Sequence, residues 1–178
     1  MTALGPRLRA LDAAPENMAL PDDVTETLGE SERAAFETAA ATLGPIFATA
    51  PYLRDLAVQH AQWFAEALQD EPQSAFSRVI AEMISAGSCE TEAELAKRLR
   101  VGKARGALLS AVAEIGGVWT SRETTRCMSD LADAALEATL DFLMDEAARE
   151  GKLAQGVEQA SAANSGLAIF ALGKEGLN

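Results

Sequence analysis

The stretch that decides the fold is "TSRETTRCMSDLADAALEATLDFLMDEAAR", Thr120 to Arg149. It opens with Thr-x-x-Glu at Thr120 and Glu123, a capping box in which each side chain satisfies the other residue's backbone N–H. No proline or glycine interrupts it before Gly151, so a helix is predicted over about 121–149. At 100° per residue, Asp130, Asp133, Glu137, Asp141 and Asp145 fall in one stripe. Met128, Leu131, Ala135, Leu136, Thr139, Phe142 and Leu143 lie opposite and are expected to be buried. Acids three or four residues apart on a helix repel one another and ordinarily face water, so the row is read as a solvated face rather than a metal site.

The preceding segments obey the same helical logic. "TEAE", Thr91 to Glu94, is a second capping box, and Gly116-Gly117 closes the helix it opens. "EPQSAFSRVIAEMISAG" restarts at Pro72 and ends at Gly87. "PYLRDLAVQHAQWFAEALQD" opens on Pro51, whose fixed φ suits a first helical turn, and carries His60 in a Leu56–Trp63–Phe64 stripe. "SERAAFETAAATLG" begins at a Ser31 cap and is expected to stop at Gly44-Pro45. Gly102 and Gly106 share a face with Leu95, Leu99 and Leu109, which suits close approach of another helix.

The two ends read differently. Pro6, Pro15 and Pro21, with Asp22, Asp23, Glu26 and Glu30, make residues 1–30 an extended, mobile arm by expectation. Residues 31–150 form the helical domain. After Gly151, the small-residue loop "GVEQASAANSG" leads to "LAIFALGKEGLN", Leu167 to Asn178. Leu167 to Leu172 is apolar throughout, as in a strand buried on both faces. The expected fold is therefore all-α, a multi-helix bundle with an N-terminal arm and a short C-terminal strand. A lone strand leaves its backbone groups unmet, so residues 151–178 read as a linker and the first strand of something further, with self-association through that strand as one outcome.

Composition excludes several classes. The 178 residues carry 48% apolar and 24% charged side chains, ordinary for a globular chain able to bury roughly 70% of its unfolded surface. Net charge is −12, which opposes a nucleic-acid backbone or an anionic membrane as partner. No segment approaches the roughly 20 apolar residues of a membrane span. Two separated cysteines, Cys89 and Cys127, point to free thiols and a cytoplasmic setting.

Few residues suggest chemistry. His60, the sole histidine, has no nucleophile or acid arranged around it in sequence and reads as a packed residue, as do Trp63 and Trp119. Lys97, Arg98, Arg100, Lys103 and Arg105 are five of the 15 cations, gathered in nine residues. Lys97, Arg100 and Lys103 share a helix side and suit a phosphate or an acidic partner surface; Glu94 stands where it could pair with Arg98. Gly173-Lys174 after an apolar stretch suggests nucleotide contact, although no G-x-x-x-x-G-K-[ST] pattern surrounds it.

Taken together, three stretches resemble the glutamine synthetase adenylyltransferase/adenylyl-removing enzyme family. "ATAPYLRDLAVQH" (48–60) is similar to an early S-P-Y-L helix of that family. "LAKRLRVGKARGALLSAVAEIGGVWT" (95–120) is similar to its basic helix and the G-V-W turn. "MSDLADAALEATLDFLMDEAAREGKL" (128–153) and "SGLAIFALGK" (165–174) resemble the helix and first strand that lead into its nucleotidyltransferase core. The resemblance implies nitrogen regulation, with glutamine synthetase and a PII-type signalling protein as partners and Mg²⁺ with ATP or phosphate serving the complete enzyme. A methionine close upstream of the A-P-Y-L helix points, by expectation, to the N-terminal, adenylyl-removing half. The family continues as G-x-G-x-E-L-N-x-S-S-D-x-D-L, whereas this sequence reads "GKEGLN" at Gly173 to Asn178. The metal-holding aspartates are absent, so the expectation is a truncated piece without catalytic or metal-binding residues of its own. A free-standing acidic helical adaptor is the alternative; it explains the helices and the charge but not the Gly-Lys strand.

Overall fold

Capping and stop signals place most of the elements. The computed structural model describes residues 2–11, 20–26 and 28–152, together with 167 and 169. Its α-helices are α1 (Asp22–Thr25), α2 (Glu30–Thr38), α3 (Ala40–Thr49), α4 (Pro51–Gln59), α5 (Ala61–Leu68), α6 (Pro72–Ile84), α7 (Glu92–Ile115) and α8 (Ser121–Arg149). Short 3₁₀ turns occupy Gly5–Arg7 and Ser85–Ser88. The described residues are helical with no strand, as an all-α chain requires. The expected strand at Leu167–Leu172 lies outside the described residues apart from Leu167 and Ile169, which are 61% and 57% exposed.

The capping box at Thr120 forms in full, and at Thr91 its N-cap bond forms. At the start of α8 the Thr120 N–H donates to Glu123 Oε2 at 2.7 Å and the Glu123 N–H donates to Thr120 Oγ1 at 3.3 Å. At α7 the Glu94 N–H donates to Thr91 Oγ1 at 3.2 Å. α7 ends as a Schellman motif: Val118 N–H reaches Ala113 O at 2.8 Å and Gly117 N–H reaches Glu114 O at 2.9 Å. Gly117 sits at φ +68°, where a side chain would be strained.

Three helix boundaries correct the sequence reading. The stop expected at Gly44-Pro45 does not occur, because Pro45 lies inside α3. The break falls earlier, at Ala39 (φ −104°, ψ 4°), and Gly29 rather than Ser31 takes the N-cap position of α2. Residues 42–47 are all buried. Their burial outweighs the one helical hydrogen bond that Pro45 removes from the carbonyl of exposed Ala41. The helix expected across 51–70 is divided at His60 (φ −122°, ψ 28°), which both ends α4 and begins α5.

The chain forms two compact units, and the division between them falls inside α6, α7 and α8. The first comprises Met1–Arg78 and Ala104–Met128. Phe36 meets Phe64 edge-on at 5.6 Å between ring centres, and Phe76 meets Trp119 edge-on at 5.9 Å. Leu43, Ile46, Phe47, Leu68, Leu108 and Leu109 complete its interior. The described part of residues 1–30 is tied to this unit, which corrects the expectation of an extended, mobile arm. Leu4 and Val24 are fully buried. Leu4 N–H donates to Asp70 O at 2.7 Å, Arg9 N–H to Gly116 O at 3.0 Å, and Thr42 Oγ1 to Arg9 O at 2.8 Å.

The second unit comprises Val79–Lys103 and Ser129–Asn178. Ala86, Cys89, Leu95, Ala138 and Phe142 cluster, with Leu99 against them. Met83 occupies the space that a Cβ on Gly102 would need, the close approach anticipated there. The buried stripe of α8 differs from the expected one. Leu131, Ala134, Ala138 and Phe142 are buried, while Leu136 and Leu143 are 42% and 50% exposed. A Cβ on Gly87 would stand 3.0 Å from Ala138 O, so the Ser85–Ser88 turn lies directly on the small residues of α8. Backbone proximity of this kind is available only over alanine, and it rotates the buried stripe by roughly a quarter turn relative to the bulkiest residues.

Phe64 is fully buried between the edge of Phe36 and the face of Trp63. Phe64→Ala is expected to cost about 3–5 kcal/mol, read as a fall in the urea midpoint with retained helical circular dichroism below the transition.

Candidate functional site

The strongest candidate is the cationic side of α7. Lys97, Arg100 and Lys103 are exposed, as their helical spacing requires. None of the three has an ion pair or side-chain hydrogen bond to another described residue. Arg98, one residue along, is used differently. Its Nη2 donates to Ser85 Oγ at 2.6 Å and to Glu82 O at 3.3 Å, and its Nη1 approaches Ser85 O and Cys89 Sγ at 3.5 Å each. The guanidinium thus ties α7 to the end of α6 and the start of the 3₁₀ turn. The pairing of Arg98 with Glu94 allowed by the sequence is not made.

Arg105, the fifth member of the basic run, lies over the Trp63 ring at 5.2 Å, a cation–π contact within the first unit. Trp63 in turn stacks on Phe64 at 6.5 Å. His60 stands at the α4–α5 break, half-buried. Burial first, and the Arg105 cation second, hold its pKa below the ordinary imidazole value of 6.5. Trp119 is buried, 7% exposed, as expected of a packing residue.

The remaining ionised pairs are structural. Arg54 grips Asp23 with Nε and Nη2 on Oδ2 at 3.0 and 2.6 Å, and this hydrogen bonding holds the Asp23 carboxyl below its usual range. Asp70 is lowered by Arg78 and then by the Glu71 N–H. Glu123 is lowered by the Thr120 backbone and hydroxyl donors of the capping box.

A divalent ion would need converging carboxylates. Along α8, Asp130, Asp133, Glu137 and Asp145 are exposed and Asp141 half-buried, spread over about four turns of one helix. Among the described residues no group of three His, Cys, Asp or Glu side chains is placed to hold a metal, so these residues do not fit Mg²⁺. Cys89 and Cys127 are buried, and neither is in a disulfide. Gly173 and Lys174 lie outside the described residues. A shallow groove of about 410 Å³ is lined by Ala3, Pro6, Ser31, Ala34, Thr38 and Gln69, among others, and presents no charged group. No helix among the described residues is long and apolar enough to cross a membrane.

A model of the family described as glutamate-ammonia ligase adenylyltransferase matches residues 40–177. Three relatives carry the description bifunctional glutamine synthetase adenylyltransferase/adenylyl-removing enzyme. That of Xanthobacter autotrophicus is 34% identical over 160 residues, covering 85% of this chain and 16% of the relative. That of Bradyrhizobium sp. strain ORS 278 is 34% identical over 178 residues, covering 97% and 18%. That of Bradyrhizobium diazoefficiens is 35% identical over 127 residues, covering 71% and 13%. The chain thus spans less than a fifth of the length of these relatives. No solved structure matches.

His60 sets one pH dependence. The folded state disfavours imidazolium, so the unfolded chain takes up the proton first as pH falls below about 6.5. The contribution is complete above 6.5 and declines as pH drops from there towards the lowered folded value. His60 is the sole histidine. His60→Gln is therefore expected to flatten the change in unfolding midpoint between about pH 7.5 and 5.5; an unchanged slope in thermal melts would contradict it.

Proposed function

The chain belongs to the glutamate-ammonia ligase adenylyltransferase family, and we propose that it is the helical portion of an enzyme that attaches AMP to glutamine synthetase and removes it again. The observation that carries this reading is the match over residues 40–177 together with relatives of one description that cover up to 97% of the chain. The residues of the match include the capped helices α7 and α8 and the Leu167–Lys174 stretch.

Within that reading the chain is a scaffold. Nucleotidyl transfer needs carboxylates that hold a metal against the phosphates and a nucleophile aligned with the departing oxygen. The Ser-Ser-Asp-x-Asp residues that would supply them are absent from this sequence. Binding and orientation of the protein substrate fall to the helices; Mg²⁺ and ATP or phosphate belong to the complete enzyme. A PII-type signalling protein is the regulatory partner in this reading. Leu136 and Leu143 on α8, each about half exposed, supply apolar surface for further polypeptide to cover.

Two measurements test the proposal. Incubated with adenylylated glutamine synthetase, Mg²⁺ and phosphate, the 178-residue chain is expected to release no AMP above the rate without it; turnover would place chemistry in these helices and overturn their scaffold role. Reading the gene beyond codon 178 is expected to reveal Glu-Leu-Asn followed by Ser-Ser-Asp-x-Asp. Its absence from the open reading frame counts against the assignment to the enzyme.

A further inference from the structure

We propose that the outer strip of α7, formed by Lys97, Arg100 and Lys103, docks an acidic surface of the protein substrate. The inference rests on the proposed function and adds to it the place and the chemistry of recognition. It starts from how the chain spends its positive charge. Fifteen cations face 27 carboxylates. In the second unit, Arg98 is committed to Ser85 and Glu82, Arg149 donates to Asp145 O, and Lys152 pairs with Glu150. The unit's other described cations are the three of the strip, and none makes an ion pair or side-chain hydrogen bond to a described residue. Glu94, one turn before Lys97, is bonded through its own N–H to Thr91 and makes no ion pair with the lysine.

The strip has a definite shape. At 100° per residue, Lys97, Arg100 and Lys103 span roughly a 120° sector of the helix, over a rise of about 9 Å. Ala93 and Ala96 fall in the same sector. No acid and no bulky side chain of residues 93–103 shares it, so a partner can approach the helix closely between the cations.

Geometry selects the kind of partner. Backbone N–H groups in the middle of α7 are consumed by helical hydrogen bonds, and side chains on a convex helix diverge. A small phosphate needs converging donors, usually with free backbone N–H groups, and this surface offers neither. A nucleic acid carries a longer and denser run of negative charge than three cations can neutralise, and beyond the strip it would meet a chain of net charge −12. A row of carboxylates on a protein surface fits: each can meet one cation across the helix face without a cavity.

The test is binding of the whole chain to glutamine synthetase, read by calorimetry at low and high salt. The unaltered chain is expected to bind, and to weaken between about 50 and 300 mM salt as exposed charges are screened. Each exposed pair is worth up to about fivefold in affinity, so the triple variant K97E/R100E/K103E is expected to bind roughly 10- to 100-fold more weakly and to bind better, not worse, as salt rises. The neutral variant K97Q/R100Q/K103Q should fall between the two, and circular dichroism should be unchanged because the residues are exposed. R122E/R126E, two exposed arginines at the start of α8, should stay within about threefold of the unaltered chain. Unchanged affinity in the triple variant, or an equal loss in R122E/R126E, overturns the docking strip and leaves the proposed function intact. Failure of the unaltered chain to bind at low salt overturns both.

Discussion

The turn at Gly116–Thr120 is the constraint on which the first unit depends. This short turn must end one long helix and begin another while leaving no buried backbone group unmet. Gly117, at positive φ, lets Val118 and Gly117 return hydrogen bonds to Ala113 and Glu114, and Thr120 with Glu123 caps the start of α8. Other parts of the unit then register against this turn. The Arg9 N–H binds Gly116 O, Leu8 fills the space a Gly116 side chain would take, and Trp119 presents its ring to Phe76. A local backbone motif thereby becomes a tertiary anchor: the N-terminal residues are held because the turn offers them a carbonyl and a vacancy the size of a methyl group.

Charge is distributed with a comparable economy. Arg54 with Asp23 and Arg78 with Asp70 join segments far apart in sequence or bound a helix start, and the partner carboxyls respond by staying ionised to lower pH. Arg98 is spent on the end of α6 and the start of the 3₁₀ turn. At an exposed site such a pair contributes little to stability, because water screens it. Its value is in position: the guanidinium fixes where the Ser85–Ser88 turn sits, and that turn carries Gly87 onto Ala138. The exposed cations of α7, Lys97, Arg100 and Lys103, stand apart from this structural use and make no ion pair with a described residue.

Packing accounts for the helices. A helical unit packed this way tolerates wide sequence change so long as small residues remain where elements touch. Identity near a third with relatives matched over most of the chain is in keeping with that demand, since alanine-rich contact surfaces constrain size more than identity.

Much of the local structure was legible in the residues alone. Thr91 with Glu94, Thr120 with Glu123, and Gly116-Gly117 announced their helix ends because the bonds concerned lie within a few residues of one another. The exposure of Lys97, Arg100 and Lys103 came from helical spacing, as did the close approach at Gly102. Other features had no local signal. Pro45 was a plausible stop, but burial of residues 42–47 carried α3 through it; His60 sat in an apolar stripe, yet the chain breaks there. On α8, periodicity identified which side chains share a face but not which face is covered. The Ser85–Ser88 turn chose the alanine side, leaving Leu136 and Leu143 in solvent. Sequence determined the helix ends at Thr91, Gly116-Gly117 and Thr120 and the exposed charge of α7, because those features close within one or two turns of backbone. Tertiary structure alone decided which surfaces are buried, because that depends on the shape of a neighbour far away in the chain.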